Sequence, residues 1–148
     1  MALFTKINGY VEHLHEGNHD FSSDQLFVAL SNTEPTADGV QASTAAAVLA
    51  TVTEIAYTNL PVQNSRRITT TSSGQTNGTY RLVLEDLTVR AIGGVPPAFQ
   101  YVYIVNENSS PATNALIGYY DYGDELVLED GQALIINFDA VNGLFSNA

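Results

Sequence analysis

Apolar residues in the second half of the chain follow the two-residue period of β-strands. The stretches "TYRLVLEDLTVRA", "AFQYVYIVN", "ALIGYYDYG", "ELVLED" and "ALIINFD" alternate in this way or are rich in β-branched and aromatic residues. Turn-forming segments such as "GGVPP", "NENSSPATN" and "GQ" separate them. Turn signals therefore recur about every ten residues, which predicts a mainly β fold, an antiparallel β-sandwich or barrel-like domain.

The N-terminal segment has a different period. Its apolar residues fall at helical spacing: Leu3, Phe4, Ile7, Val11 and Leu14. Gly17 and Asn18 then form a good helix stop, because both tolerate a left-handed backbone. The pattern predicts a short helix from Phe4 to Glu16, within an N-terminal helix or arm of about residues 1–17.

Three further segments complete the pattern of the first half. Gln25 to Ser31 is apolar on both faces and predicts a strand buried on both sides. An Ala-rich segment beginning at Thr44 predicts one or two helical turns capped by Thr44, and 51–57 fits a helix or a strand equally well. The segment "TTTSSGQTNGTY" predicts a hairpin or a mobile loop, with its Thr run as an edge strand. No linker divides the chain, so residues 1–148 are expected to form one β-rich domain.

Composition narrows the classes of function. The formal net charge is −11, so the chain lacks the basic surface that binding to nucleic acid or to an anionic bilayer requires. Charged residues make up only 14% of the chain, and Thr, Asn, Ser and Gly take their place. The sequence contains no cysteine, no signal-peptide pattern and no apolar run of about 20 residues. It is therefore expected to be made and folded in a cytoplasm.

The three histidines, His13, His15 and His19, raise the question of a metal site. Zinc ligands must converge on one point, but on a helix His13 and His15 diverge by about 200°. On a strand they would share a face, and a site would become possible. The apolar spacing favours the helix, so His13 and His15 are expected on its surface, replaceable by alanine without loss of the fold, with His19 beyond its end. No catalytic residue, cofactor or metal site is predicted, and the three histidines remain the candidates if a metal is bound.

An acidic group follows the last long strand: Asp121, Asp124, Glu125, Glu129 and Asp130. It lacks the alternating pattern of an EF-hand loop, so solvated turn residues are the preferred interpretation over a calcium site. The pair Arg66–Arg67 is interpreted as a surface pair without a role, with ion pairing to an acidic neighbour as the alternative.

Three tyrosines cluster in "GYYDYG": Tyr119, Tyr120 and Tyr122. Near a turn they would offer an aromatic surface to a partner or a sugar, and a packed sheet face explains them as well.

The order of segments resembles a family of small proteins encoded among the virion genes of tailed bacteriophages. The resemblance runs over nearly the full length, and its most specific parts are "SDQLFVALSNTEP" and "LIGYYDYG" ahead of "LEDGQALIINFD". It implies a component of the particle with no enzymatic activity and no cofactor, located in the virion after synthesis in the host cytoplasm. His19 matches a position where such proteins often carry His, whereas His13 and His15 are particular to this chain.

Within that class, the first hypothesis is a capsid decoration, or cement, protein. It would bind the outer head lattice as a homo-oligomer, with a trimer favoured, and bridge subunits of the major capsid protein. The arm, Met1 to Tyr10, would dock through Leu3, Phe4 and Ile7, partly exposed in the monomer, and its deletion should weaken docking more than the fold. The alternative is that these residues cover one end of the sandwich.

Two other hypotheses remain. A tail or neck component, or a receptor-binding module, would use "TTTSSGQTNGT" and "GYYDYG" as contact loops. A small metal-dependent or sugar-processing enzyme would be built on the histidines and would carry bound zinc.

Overall fold

A five-stranded antiparallel sheet forms the centre of the protein. The computed structural model describes residues 2–60 and 66–147, and this part of the chain contains ten strands and one α-helix, α1, at Asn8–His15. The strands are β1 Phe4–Lys6, β2 Leu26–Ser31, β3 Arg67–Ile68, β4 Thr70–Thr76, β5 Thr79–Leu84, β6 Leu87–Arg90, β7 Phe99–Asn106, β8 Ala115–Leu126, β9 Ala133–Ile136 and β10 Phe145–Asn147. The central sheet has the order β1-β8-β7-β2-β3.

Both faces of the central sheet are covered. All residues of β2 are buried, as its continuous apolar run predicts. On one face, the segment between β2 and β3 is held by the Tyr103 hydroxyl, which donates to the Thr33 carbonyl at 2.5 Å. The same segment also pairs with the edge of β2, where Ile55 N donates to Leu30 O at 3.0 Å. On the other face lie the small sheets β10-β5-β4 and β6-β9. The predicted mainly β, antiparallel fold with a short N-terminal helix is confirmed, and its arrangement is sandwich-like.

The predicted hairpin is present as β4 and β5. Thr76 pairs with Thr79, and Asn77 and Gly78 between them have φ of 52° and 82°, the backbone that an Asn-Gly turn requires. Within the described residues β4 pairs only with β5, so the Thr-rich segment is an edge strand.

The N-terminal helix starts later than predicted. Residues Phe4–Lys6 form strand β1 against β8, and α1 begins only at Asn8. The apolar spacing suited both structures, and the free edge of β8 decided between them because pairing satisfies the backbone of 4–6. The predicted stop is confirmed: Gly17 has φ 83°, and Asn18 N donates to His13 O at 2.9 Å in a Schellman arrangement.

Two other predicted elements differ. Strand β8 continues past "ALIGYYDYG" to Leu126, because an irregularity near Gly123, with φ 86°, lets it bend and continue. The separate strand expected at "ELVLED" does not form: its first two residues end β8, and 127–129 have no regular structure. The Ala-rich segment forms turns and a 3-10 turn at Leu49–Thr51, and Ser43, not Thr44, accepts the capping hydrogen bond from Ala46 N at 3.2 Å. Of the segment 51–57, only Thr51 is helical, as the end of that 3-10 turn, and 52–57 form neither helix nor strand apart from a bridge at Glu54. No helix in the described residues is long and apolar enough to span a bilayer.

Candidate functional site

The tertiary structure brings the N-terminal residues and the tyrosine-rich strand together. Phe4 pairs with Tyr120 across β1 and β8, and their ring centroids are 5.8 Å apart, edge to face. The Phe4 ring also stacks on Phe145 at 6.3 Å. Gly118 makes room for this, since a Cβ there would overlap the Phe4 ring and lie 2.6 Å from Thr5 O. The N-terminal arm and the tyrosine-rich strand, which were both predicted to make interactions, therefore contribute to one surface.

This surface contains a groove of about 650 Å³, here called the arm groove. Its lining is mostly apolar and includes Ala2, Leu3, Phe4, Tyr120, Phe138, Val141 and Leu144. A neighbouring hollow of about 340 Å³ shares Ala2 and Tyr120 and adds Tyr122 and Ile135. Three of these side chains project into solvent, with exposures of 78% for Leu3, 63% for Ile135 and 82% for Val141.

The charges around the arm groove are acidic. Asp139 lines it and Asp121 lines the neighbouring hollow, and no Lys or Arg does so among the described residues. The Asp139 carboxylate accepts hydrogen bonds from Val141 N at 3.1 Å and Asn142 N at 2.9 Å, and these bonds hold the pKa of Asp139 below its usual range. The groove can therefore accept apolar side chains, and its rim favours basic neighbours.

The six predicted interaction residues have different environments. Leu3 lies at the mouth of the arm groove, Phe4 and Tyr122 are half-buried, and Tyr120 is buried in the wall. The expected exposure of Ile7 is wrong: it is fully buried, and its N–H donates to Ile117 O at 3.0 Å. The first ten residues are thus largely part of the sheet and core, so their deletion would damage the fold and cannot test docking alone.

Tyr119 faces the other side of the sheet. It packs against Tyr101 and Tyr103, with ring centroids 6.4 and 6.0 Å away. "GYYDYG" is strand and not a turn, so alternate tyrosines point to opposite faces. Of the two interpretations of the tyrosines, the packed sheet face is therefore the one that fits, and the three do not form one contact surface at a turn. Phe138, Val141 and Leu144 line the groove but were not among the predicted interaction residues, although the apolar residues of "NFDAVNGLF" around a turn were a signal for them.

Of the two histidines expected on the helix surface, His15 is there and His13 is buried. His13 and His19 are only 4% and 7% exposed, and their ring centroids are 6.1 Å apart; His15 is exposed. The buried side of α1 carries Gly9, Tyr10 and His13, and Val11 of the predicted apolar stripe faces solvent. The helix is rotated because Gly9 packs on the Thr44–Ala47 turn, where a Cβ would lie 2.7 Å from the Thr44 Cα. The surface position expected for His13 is therefore corrected, and the replacement of His13 and His15 by alanine without loss of the fold stays a prediction.

The surroundings of the two buried histidines favour the neutral form of each ring. Burial lowers the pKa of His13, with Glu12 and Glu16 opposing, and lowers the pKa of His19 to about 4, with Asp24 opposing. Within residues 2–60 and 66–147, no group of three or more His, Cys, Asp or Glu side chains could hold a metal ion. The acidic group from Asp121 to Asp130 does not converge either, and Asp130 instead accepts a hydrogen bond from Gly93 N at 3.1 Å.

The interpretation of Arg66–Arg67 as a surface pair without a role is wrong. Arg66 is 4% exposed, and its guanidinium lies 3.6 Å from the centre of the Tyr57 ring. Burial lowers the pKa of Arg66, and Tyr57 and Glu54 partly offset that effect. Arg67 is exposed and forms a 2.7 Å ion pair with Glu107, the alternative that the sequence left open.

Comparisons with protein-family models, with curated proteins and with solved structures found no match for this chain.

Proposed function

We propose that this protein is a structural component of a tailed-bacteriophage particle and that it decorates the capsid by seating an apolar segment of the major capsid protein in the arm groove. The proposed class comes from the resemblance of the sequence to small virion proteins. The surface is proposed from the exposure of Leu3 and Val141 at the arm groove and of Ile135 in the neighbouring hollow, which is the observation that carries the proposal. Contiguous exposed apolar side chains are typical of protein interaction sites.

The charge distribution favours the capsid segment over a second copy as the occupant. The chain has a net charge of −11, and Asp121 and Asp139 lie beside the groove and its neighbouring hollow. Two copies meeting through this surface would bring like charges together, whereas a segment with basic residues flanking its apolar core would be attracted. The proposed homo-oligomer, with a trimer favoured, would then form through another surface and let each copy bridge neighbouring shell subunits.

A tail, neck or receptor-binding role is the second candidate. The β4–β5 hairpin favours it, because this edge is exposed, polar and uncharged from Thr70 to Thr76. Such a surface suits polar contact with another protein or with a sugar better than it suits the docking of an apolar segment.

The copy number of the protein in purified particles, relative to the major capsid protein, tests the proposed location. A simple ratio to the shell subunit supports capsid decoration. A few copies per particle would overturn it in favour of the tail or neck, and absence from the particle would overturn both candidates.

Binding to shells that lack the protein tests the arm groove. Leu3→Ser should weaken binding at least about tenfold, because the apolar area that the leucine side chain buries in the complex is lost. Ile92→Ser is the matched control: Ile92 is also an exposed apolar residue but does not line the groove. Equal binding by both variants would contradict the groove assignment. Self-association that Leu3→Ser abolishes would instead identify a second copy as the occupant.

A further inference from the structure

A second cleft lies between the α1–β2 connection and the β4–β5 hairpin, away from the arm groove. It has a volume of about 420 Å³, within the size range of small-molecule sites. Its lining includes His19, Asp20, Phe21, Ser22, Ser73 and Tyr80. We call it the hairpin cleft.

The hydrogen bonds of Asn106 fix the protonated nitrogen of His19. Asn108 N donates to Asn106 Oδ1 at 2.9 Å, and Asn106 Nδ2 donates to Asp24 Oδ2 at 2.7 Å, so the orientation of the amide is set. The same Nδ2 lies 2.9 Å from His19 Nδ1, which must therefore accept. A neutral imidazole that accepts at Nδ1 carries its hydrogen on Nε2.

The Nε2–H group of His19 is a donor in need of an acceptor. It is enclosed by neighbouring side chains and has no hydrogen-bond partner among the residues that the structure describes, so a ligand in the cleft reaches it only when His19 or a neighbouring side chain moves. A buried donor without a partner costs free energy, which a ligand atom that accepts this hydrogen bond would recover. The ligand should therefore carry an oxygen acceptor.

The rest of the cleft combines aromatic rings with hydroxyl groups. Phe21 stacks on His19 with ring centroids 5.2 Å apart, and the half-buried Tyr80 lies on the hairpin side. The hydroxyls of Tyr80 and Ser73 are 2.9 Å apart, so one donates to the other and one hydroxyl hydrogen stays available. The Ser22 hydroxyl donates to Asp20 and keeps its own lone pairs as acceptors.

The charges narrow the class of ligand. Hydrogen bonds from Ser22 and Ser23 hold the pKa of Asp20 below its usual range, so a carboxylate stands at the edge of the cleft. No Lys or Arg lines the cleft within 2–60 and 66–147, and an anionic ligand would be repelled. A simple cation would suit the rings and the carboxylate but has no acceptor for His19.

We infer that the hairpin cleft binds a neutral sugar as a single pyranose unit, with its hydroxyls bonded to His19, Ser22 and Ser73 and its ring against Tyr80. A sugar supplies donors, acceptors and an apolar ring face together, and these are the groups that the cleft complements. The inference is independent of capsid decoration, since it concerns a surface other than the arm groove. It deepens the second candidate, in which the β4–β5 hairpin makes the contact, and it is tested on the isolated chain.

Nuclear magnetic resonance on the full, isotopically labelled chain tests this site. The probes are the methyl glycosides of glucose, galactose, mannose and N-acetylglucosamine, with tetramethylammonium as a cationic probe. At least one glycoside should produce saturable shifts at Phe21, Ser22, Ser73 and the His19 Nε2–H, at concentrations on the order of millimolar. Saturation by tetramethylammonium alone, or no saturable shift with any glycoside, would overturn the inference.

Variants separate binding at the cleft from effects elsewhere. Tyr80→Ala should weaken binding about tenfold through loss of the ring contact. Ser73→Leu fills the cleft and should abolish the shifts, which covers the case in which Tyr80→Ala does not fold. Tyr122→Phe, which lies outside the cleft, is the control and should bind normally. Unchanged affinity in a folded Ser73→Leu variant would place any sugar site elsewhere and overturn the assignment.

Discussion

Phe4 of β1 lies directly opposite Tyr120 of β8, with their ring centroids 5.8 Å apart. This contact joins the start of the chain to the wall of the arm groove. It also separates two parts of the N-terminal segment, because Leu3 remains 78% exposed while Phe4 to Ile7 belong to the sheet and core. Binding and stability can therefore be altered independently here.

Replacing Phe4 with alanine should lower the free energy of unfolding by about 2 kcal/mol, since the half-buried ring loses its contacts with Tyr120 and Phe145. Leu3→Ala should change it by less than about 0.5 kcal/mol because the side chain is exposed. Urea unfolding followed by circular dichroism measures both. Equal effects of the two variants would mean that β1 is not docked on β8.

Gly118→Ala should detach β1, because the added methyl overlaps the Phe4 ring and approaches Thr5 O. The expected loss of stability is about 2 kcal/mol, as for an overpacked site. Amide hydrogen exchange at Ile7, whose N–H donates to Ile117 O in β8, should accelerate more than exchange in β7. Gly74→Ala in β4 is the matched control, since a Cβ there meets nothing within 4 Å. Slow exchange at Ile7 in Gly118→Ala would show that the strand tolerates the methyl group.

Stability should fall as the pH drops from about 6.5 to about 4. The folded-state pKa of His19 is lowered to about 4 from 6.5, so the unfolded chain binds more protons in this window and protonation favours unfolding. This shift in the pKa of His19 corresponds to about 3 kcal/mol of folding free energy. That contribution to stability is present in full above pH 6.5 and is lost as the pH falls toward 4. Asp20 and Asp139, whose pKa values lie below 3.8, lose their contribution only at still lower pH.

Urea unfolding at a series of pH values between 4 and 8 measures this dependence. His19→Gln should flatten the curve, and His15→Gln, at an exposed position, should leave it unchanged. An equally steep curve in His19→Gln would place the pH dependence on other groups.

Replacing Arg66 with alanine should destabilise the fold by about 2 kcal/mol, because the guanidinium loses its place on the Tyr57 ring and its Nε bond to Val28 O at 3.4 Å. Arg66→Lys should recover little of this, since an ammonium cannot lie flat on a ring. Arg67→Ala removes an exposed ion pair and should cost less than about 1 kcal/mol. Thermal unfolding of the three variants tests the contrast, and a larger effect of Arg67→Ala would contradict it.

The sequence by itself determined the class of fold, the hairpin at Asn77–Gly78 and the end of the helix at Gly17. These features depend on local causes: two-residue alternation, positive φ at Asn and Gly, and the backbone preferences of turns. The sequence also indicated Leu3, Phe4 and Tyr120 as candidate interaction residues, but it did not show that they lie together.

Only the tertiary structure decided the rest, because non-local contacts chose between local alternatives. The edge of β8 made residues 4–6 a strand where their spacing also suited a helix. The contact of Gly9 with the Thr44 turn rotated α1, which buried His13 and exposed Val11. Non-local contacts also distinguish the two neighbouring arginines. Arg66 is buried against the Tyr57 ring, whereas Arg67 forms an ion pair with Glu107 at the surface. Periodicity shows which residues can share a face, but the packing partner that buries a face comes from a distant part of the chain.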